Sequence, residues 1–94
     1  MNNKRRGTAA EHRTMRVLEA AGYACSRSAA SLGLWDIIAV GPKDIRLIQV
    51  KFGIRPALSG IERKALELFQ VPPNVSKELW KWRVRARTPD IEVL

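Results

Sequence analysis

The sequence places three polar residues on two neighbouring apolar segments. Gln49 and Lys51 lie at alternate positions of the segment 45–52, and Asp36 lies near the start of the segment 35–40. If both segments are β-strands, Gln49 and Lys51 point to the same side of the sheet, because side chains alternate along a strand. An amide and an ammonium group on an otherwise apolar strand face require polar partners or a chemical role.

The turn 41–44 is short enough to join these two segments as an antiparallel hairpin. Counted outward from this turn, Asp36 lies at about the same distance as Gln49 and Lys51. The three residues are therefore expected at one end of the hairpin. Glu11, on a predicted first helix, adds a second carboxylate if that helix packs over the same end.

This set of groups suits the magnesium-dependent hydrolysis of a phosphodiester. Magnesium prefers oxygen ligands, and the bound ion polarises a phosphate and activates a water molecule. A lysine orients the nucleophile or neutralises the negative charge that develops. Each residue also has a structural alternative: Glu11 closes a capping box with Thr8, Asp36 caps a strand, and Lys51 extends from the sheet edge to solvent. The joint placement of the residues favours the chemical role.

Capping residues, glycines and prolines predict the elements that hold these groups. A capping box Thr8-x-x-Glu11 begins a helix that runs to about Ala21, after a flexible basic arm over residues 1–7. The other predicted elements are strands over 23–28, 35–40 and 45–52, a helix from a capping box at Ser59 to about Gln70, a strand over 79–87 and a short strand over 91–94. The order αβββαβ(β) implies one domain, residues 1–94, of the α/β or α+β class, with a mixed central sheet flanked by helices.

Apolar residues at helical and strand spacing predict the buried faces. The expected helix faces are Ala10, Val17, Leu18 and Ala21 on the first helix, and Ile61, Ala65 and Leu68 on the second. Trp80 and Trp82 share the apolar face of the strand 79–87, whose other face is basic. We expect these two tryptophans in the core or at a subunit interface, in preference to stacking on nucleic-acid bases. Cys25 is expected to be packed, and His12 is expected to have no catalytic role.

The charge of the chain indicates a polyanionic partner. Its 94 residues include 17 Lys and Arg but 9 Asp and Glu, which gives a formal net charge of +8. Nucleic acid is the expected partner, and a basic solubility surface or an acidic protein partner is the alternative. A hydrophobic content of 46% excludes a disordered chain, and the apolar runs are too short to span a membrane. No secretory signal is evident, and the single Cys25 excludes an internal disulfide, so we expect a cytoplasmic protein.

Four segments taken together resemble the PD-(D/E)xK nuclease superfamily, and within it the archaeal and viral type of Holliday junction resolvase. They are Gly7-Thr8-Ala9-Ala10-Glu11, Arg27-Ser28-Ala29-Ala30-Ser31, Trp35-Asp36-Ile37-Ile38-Ala39 and Ile48-Gln49-Val50-Lys51. The resemblance covers residues 4 to about 53, and it is specific as a set although each segment alone is weak. The resemblance implies a restriction-endonuclease-like fold in the cytoplasm of a prokaryotic or virus-infected cell.

The resemblance also implies roles for individual residues. Glu11, Asp36 and the main-chain carbonyl of Val50 would lie near Mg²⁺, for which Mn²⁺ is a possible substitute, and Lys51 would be the catalytic lysine. Gln49 stands where the family usually has Glu; its amide oxygen can bind magnesium, but with one negative charge less. The expected DNA-binding residues are Lys4, Arg5, Arg6, Arg13, Arg27, Ser31 and Arg55.

The polar residues and the charge predict a metal-dependent nuclease, and the resemblance implies an endodeoxyribonuclease of DNA recombination and repair. The resemblance also implies a homodimer that resolves four-way DNA junctions by paired symmetric nicks. One alternative is another nuclease on the same core, such as a repair enzyme or a nickase of a mobile element. The other is a non-catalytic DNA-binding module, which Gln49 in place of an acid would favour.

Overall fold

The structure of the chain is a computed structural model. It describes residues 3–28 and 34–94, and the side chains from Gly7 onward. The predicted contact residue Ser31, and the side chains of residues 4–6, therefore lie outside the described part. The elements are α1 (Asn3–Ala20), β1 (Ala24–Arg27), β2 (Ile37–Val40), β3 (Ile45–Gly53), α2 (Gly60–Leu68), β4 (Val75–Arg83) and β5 (Asp90–Val93).

The five strands form one mixed sheet in the order β1-β2-β3-β4-β5. Neighbouring strands are antiparallel except β3 and β4, which are parallel. This exception follows from the chain path, because parallel neighbours need a crossover connection and α2 supplies it. The predicted order of elements, the β2–β3 hairpin and the mixed sheet are all confirmed.

Helix α1 begins earlier than the capping pattern predicts. It starts at Asn3, so Thr8 lies inside the helix and is not its N-cap. The segment 3–7, expected as part of a flexible arm, is helical; it contains no proline, and Lys4, Arg5 and Arg6 are good helix formers. The predicted Thr8–Glu11 capping box is wrong, and the Glu11 carboxylate is free to bond elsewhere.

The buried face of α1 contains a polar residue that apolar spacing cannot reveal. Ala10, Thr14 and Leu18 are buried at intervals of four residues, whereas Val17 and Ala21 are exposed, against prediction. The Thr14 hydroxyl donates to the Ala10 carbonyl (2.8 Å) and accepts from the indole N–H of Trp82 (2.8 Å). Thr14 therefore has the partners that a buried hydroxyl needs. The residues of the sheet packed in this core are Ile37, Ala39, Ile48, Val50, Trp80 and Trp82.

Helix α2 has the predicted capping box at Ser59 and Glu62, but not the predicted buried face. Leu66 is buried, whereas Ile61 and Leu68 are 87% and 68% exposed. The Lys77 ammonium of β4 donates to three carbonyls at the end of the helix: Leu66, Glu67 and Phe69, each at 2.8 Å. Contacts of α2 with the sheet, which apolar spacing does not encode, accompany this difference from the predicted face.

Strand β4 begins at Val75 and ends at Arg83, about four residues before the predicted bounds at each end. The strand stops because Arg85 adopts a left-handed backbone conformation, with φ of 66°. Trp80 and Trp82 are each 1% exposed, so they belong to the core, one of the two expected locations. Over the described residues, no helix is both long and apolar enough to cross a membrane.

Candidate active site

Asp36 is held at the end of the β2–β3 hairpin by bonds from both neighbouring strands. Its own N–H donates to the Ile48 carbonyl (2.9 Å), and its carbonyl accepts from the Ser28 N–H (2.9 Å). The Val50 N–H donates to the Asp36 Oδ2 atom at 2.8 Å. These bonds fix the orientation of the carboxylate, and within the described chain its other oxygen, Oδ1, accepts no hydrogen bond. The predicted placement of Asp36 opposite residues 49–51 is confirmed.

The charge on Asp36 is poorly compensated. Burial raises the pKa of the Asp36 carboxyl above its usual value, the Val50 N–H opposes this rise, and the negative charge of Glu11 adds to it. Lys51 and Arg27 act in the opposite direction without cancelling the rise. Asp36 and Glu11 therefore lie near enough to repel each other, as two ligands of one cation would do in the absence of that cation.

Glu11 is paired with Arg27 across the interface between α1 and β1. The Arg27 Nε atom donates to the Glu11 Oε1 atom at 2.6 Å, and the two side chains are 27% and 19% exposed. A further Arg27 nitrogen lies 3.5 Å from the Thr8 hydroxyl. Arg27, predicted to contact DNA, thus also fixes one of the two carboxylates of the site and leaves Glu11 Oε2 without a hydrogen bond from the described residues.

Lys51 makes an ion pair that sequence analysis missed. Its Nζ atom donates to the Glu62 Oε2 atom at 2.9 Å, while the Ser59 N–H donates to Glu62 Oε1 at 3.0 Å. The hydrogen bonds from Lys51 and from the Ser59 N–H lower the pKa of the Glu62 carboxyl, so it is charged at neutral pH. Glu62 was identified from the sequence as a capping residue of α2. Its contact with Lys51 depends on how α2 docks on the sheet, which no local pattern encodes.

Gln49 faces the same side of the sheet as Lys51. It lines a cavity of about 150 Å³ together with Leu34, Glu62, Ala65 and Leu66. The neutral amide and the Glu62 carboxylate therefore share one cavity under α2. The structure brings Asp36, Gln49 and Lys51 to one end of the β2–β3 hairpin, as predicted, and adds Glu62 to them.

The donor set is consistent with a hard divalent cation. Residues 3–28 and 34–94 hold no group of three or more His, Cys, Asp and Glu side chains suited to a metal. They do hold two mutually repelling carboxylates, Glu11 and Asp36, whose charge a cation would compensate. With the Gln49 amide and the Val50 carbonyl, every candidate ligand is an oxygen atom, which is the ligand type that magnesium selects.

Of the predicted DNA-binding residues, Arg13 and Arg55 have different environments. Arg13 stacks over the Trp82 ring, with its Cζ atom 4.2 Å from the ring centre, and donates to the Ala86 carbonyl at 2.9 Å. It thereby ties α1 to the turn after β4. Arg55 is exposed and lines an open groove of about 370 Å³, whose other lining residues are Ile54, Pro56, Ala57, Lys81, Arg83 and Asp90.

A second open groove lies between this basic surface and Lys51. It has a volume of about 450 Å³ and is lined by Gly7, Val50, Lys51, Phe52, Gly53, Ile54 and Val84. Ile54 borders both grooves, so they lie side by side, and we call the surface from Lys51 past Ile54 to Arg83 the basic path. A polyanion bound at the site would find basic side chains along this path.

Among the comparisons with known proteins, the one with solved structures agrees with the resemblance of the sequence motifs. No protein-family model matches the chain, and a comparison with curated proteins gives no match. Among solved structures, the chain is similar to Hjc of Archaeoglobus fulgidus, described as a Holliday junction resolvase from an archaeal hyperthermophile. The TM-score is 0.71 at 26% sequence identity, over 95% of this chain and 71% of that chain. The resemblance carried by the sequence motifs is thus confirmed, and the α+β nuclease fold with it.

Proposed function

We propose that this protein is a metal-dependent endonuclease that resolves four-way DNA junctions by paired nicks. The observation that carries the proposal is the meeting of Asp36, Glu11 and Lys51 at one end of the hairpin. The similarity to an archaeal Holliday junction resolvase supports it. The net charge of +8 and the basic grooves beside Lys51 supply affinity for a DNA backbone.

In the proposed mechanism, Asp36, Glu11, the Gln49 amide oxygen and the Val50 carbonyl would hold Mg²⁺, with Mn²⁺ as a substitute. When bound, the metal polarises the scissile phosphate and lowers the pKa of an attacking water. The Val50 N–H keeps Asp36 oriented, and Arg27 keeps Glu11 oriented. Lys51 donates a hydrogen bond to the nucleophile and offsets the negative charge that develops on the phosphate oxygens.

Cutting both strands of a junction symmetrically requires two active sites, so we propose a homodimer. Several large apolar side chains of the described chain are exposed, and they are candidates for the contact between subunits. The most exposed are Ile54, Ile61, Leu68 and Val93. A chain of this size buries a limited core, and a partner subunit would remove such side chains from water.

The test is cleavage of end-labelled DNA, with an immobile four-way junction compared with a linear duplex of the same arms. We expect paired nicks on the junction in Mg²⁺, no product in EDTA, and loss of activity by at least about 100-fold in Asp36→Asn. A gel shift without metal should show that this variant still binds the junction. Glu19→Gln, which removes the same charge from an exposed part of α1, should cleave normally.

Other outcomes would select between the remaining candidate functions. Equal cleavage of junction and duplex would retain the nuclease and remove the junction specificity. Binding without any cleavage would favour a non-catalytic DNA-binding module, the candidate that Gln49 supports because it leaves the site one carboxylate short. In that case Gln49→Glu should not create activity; if it does, the fold and the remaining site residues are catalytically competent.

A further inference from the structure

The neighbourhood of Lys51 contains a fixed carboxylate that the proposed mechanism does not use. Glu62 reaches Lys51 from α2, and its two oxygens have separate partners: Lys51 at 2.9 Å and the Ser59 N–H at 3.0 Å. The Ser59 hydroxyl in turn accepts from the Glu62 N–H at 3.1 Å. Because the Ser59 main-chain N–H binds one oxygen of the Glu62 carboxylate, the other oxygen is oriented toward Lys51.

An ion pair of this kind holds the ammonium group of a lysine at one position. Its four-carbon side chain is flexible and its charge is compact. Lys51 is 28% exposed, so solvent alone would leave the Nζ atom mobile. In the described part of the chain, Glu62 is the carboxylate that forms an ion pair with Lys51.

Strand β3 itself has no carboxylate that could hold the Lys51 ammonium group. Gln49 lies two residues before Lys51 on the same strand face, at a distance of about 7 Å along the strand, and its side chain is neutral. Gln49 and Glu62 line one cavity, so α2 places a carboxylate where position 49 offers an amide. The charge next to the lysine therefore comes from a different element of the fold.

We propose that Glu62 is a positioning residue for Lys51 in DNA cleavage and that it supplies from α2 the negative charge that Gln49 does not supply from β3. This inference rests on the proposed nuclease function, since Lys51 must act in the reaction. Glu62 contacts Lys51 directly through Oε2, so in this proposal it acts through the lysine. Through Glu62, the first turn of α2 thus belongs to the active site.

The test compares four variants in steady-state cleavage of a four-way junction with Mg²⁺. Glu62→Ala should lower kcat by about 10- to 100-fold while KM for the junction stays unchanged, because the substrate-binding surface is intact. Glu62→Gln has one carbonyl oxygen, so it keeps an acceptor for either Lys51 or the Ser59 N–H but not for both, and it loses the charge. Its kcat should lie between those of Glu62→Ala and the wild type. It also controls for a folding defect in Glu62→Ala.

Ser59→Ala is the matched control for the capping role of Glu62. It removes the capping hydroxyl but keeps the contact between Lys51 and Glu62, so it should reduce thermal stability and leave kcat close to the wild-type value. The decisive variant is Gln49→Glu combined with Glu62→Ala. It places a carboxylate back on the face of Lys51, and we expect it to recover most of the lost kcat.

The outcomes separate this inference from the proposed function. If the wild type cleaves the junction and Glu62→Ala has the same kcat, the positioning role of Glu62 is overturned and the nuclease proposal stands. An equal loss of kcat in Ser59→Ala would mean that the effect of Glu62 is a helix-stability effect. Failure of Gln49→Glu to rescue Glu62→Ala would overturn the idea that α2 compensates for position 49. Absence of cleavage by the wild type on every DNA substrate would overturn the nuclease proposal itself.

Discussion

Strand β3 carries a charged cluster at each end, and the two clusters differ in how their charges are balanced. Near its start, Arg46 donates two hydrogen bonds to Glu78, each of 2.7 Å. Glu78 also accepts from the Ser76 hydroxyl (2.6 Å) and from the Trp80 indole (2.9 Å). Near the other end of the strand, Asp36 and Glu11 repel each other, and each carboxylate keeps one oxygen free of hydrogen bonds from the described chain.

The pKa values of the buried Glu78 and the half-buried Asp36 show the same contrast. Burial raises the pKa of the Glu78 carboxyl, but the bonds from Arg46, Ser76 and Trp80 outweigh burial and bring it below its usual value. Burial and Glu11 leave the pKa of Asp36 above its usual value. A balanced cluster stabilises the fold, whereas an acid with a raised pKa beside a second carboxylate is typical of functional sites, in line with the metal site that we propose.

The largest effect is expected from breaking the balanced cluster. Arg46→Met leaves the 3% exposed Glu78 without its cationic partner, and we expect a loss of about 3 kcal/mol in the free energy of unfolding. Urea unfolding at neutral pH measures it. Arg63→Met, which breaks the more exposed pair with Glu92, should have little effect; an equal loss in both variants would contradict the distinction between the pairs.

The cluster of Arg46 and Glu78 also predicts how the free energy of unfolding of the wild type changes at acid pH. The pKa of Glu78 is lower in the folded than in the unfolded chain, so its contribution is complete above the usual pKa of a glutamate. The contribution is lost as the pH falls toward the folded value. Arg46→Met should therefore lose less stability than the wild type when both are titrated from neutral to acid pH.

Divalent cations should act on the unbalanced cluster. If Asp36 and Glu11 hold Mg²⁺, a concentration of one hundred times Kd should stabilise the wild type by about 2.7 kcal/mol. Thermal unfolding with and without Mg²⁺ gives this value, and Asp36→Asn should show almost no such gain. Equal stabilisation of both proteins would place the ion at another site.

Without metal, replacing Asp36 should raise the free energy of unfolding and not lower it. Because the folded pKa of Asp36 lies above its unfolded value, the charged carboxylate costs stability at neutral pH. Asp36→Asn should then be slightly more stable than the wild type in EDTA, and this difference should disappear as the pH falls through the folded pKa. A less stable Asp36→Asn at neutral pH would show that the carboxylate has a stabilising partner.

The smallest expected effect is on DNA binding by the basic path, the surface from Lys51 to Arg83. Arg85 directly follows Val84, which lines the groove beside Lys51, and its φ of 66° is a conformation that suits glycine. Arg85→Gly should therefore change stability by less than ~1 kcal/mol, yet lower the salt dependence of DNA binding by about one phosphate contact. Lys43→Ala removes one charge at the opposite end of the sheet and should not change the salt slope; an equal change in both would indicate an effect of net charge alone.

Local patterns predicted the elements that depend on nearby residues. The β2–β3 hairpin follows from the short turn 41–44, and the capping box of α2 follows from Ser59 and Glu62. Patterns failed where a distant contact decides the outcome. Thr14 is buried because Trp82 supplies a hydrogen-bond partner 68 residues away.

The sequence by itself determined that Asp36 and Lys51 meet, because a hairpin register follows from strand alternation and a tight turn. It also determined the net positive charge that favours a polyanionic partner. Tertiary structure alone decided that Glu11 pairs with Arg27 and that Glu62 pairs with Lys51. Those contacts depend on the rotation and docking of two helices, which are fixed by packing and hydrogen bonds between residues far apart in the chain.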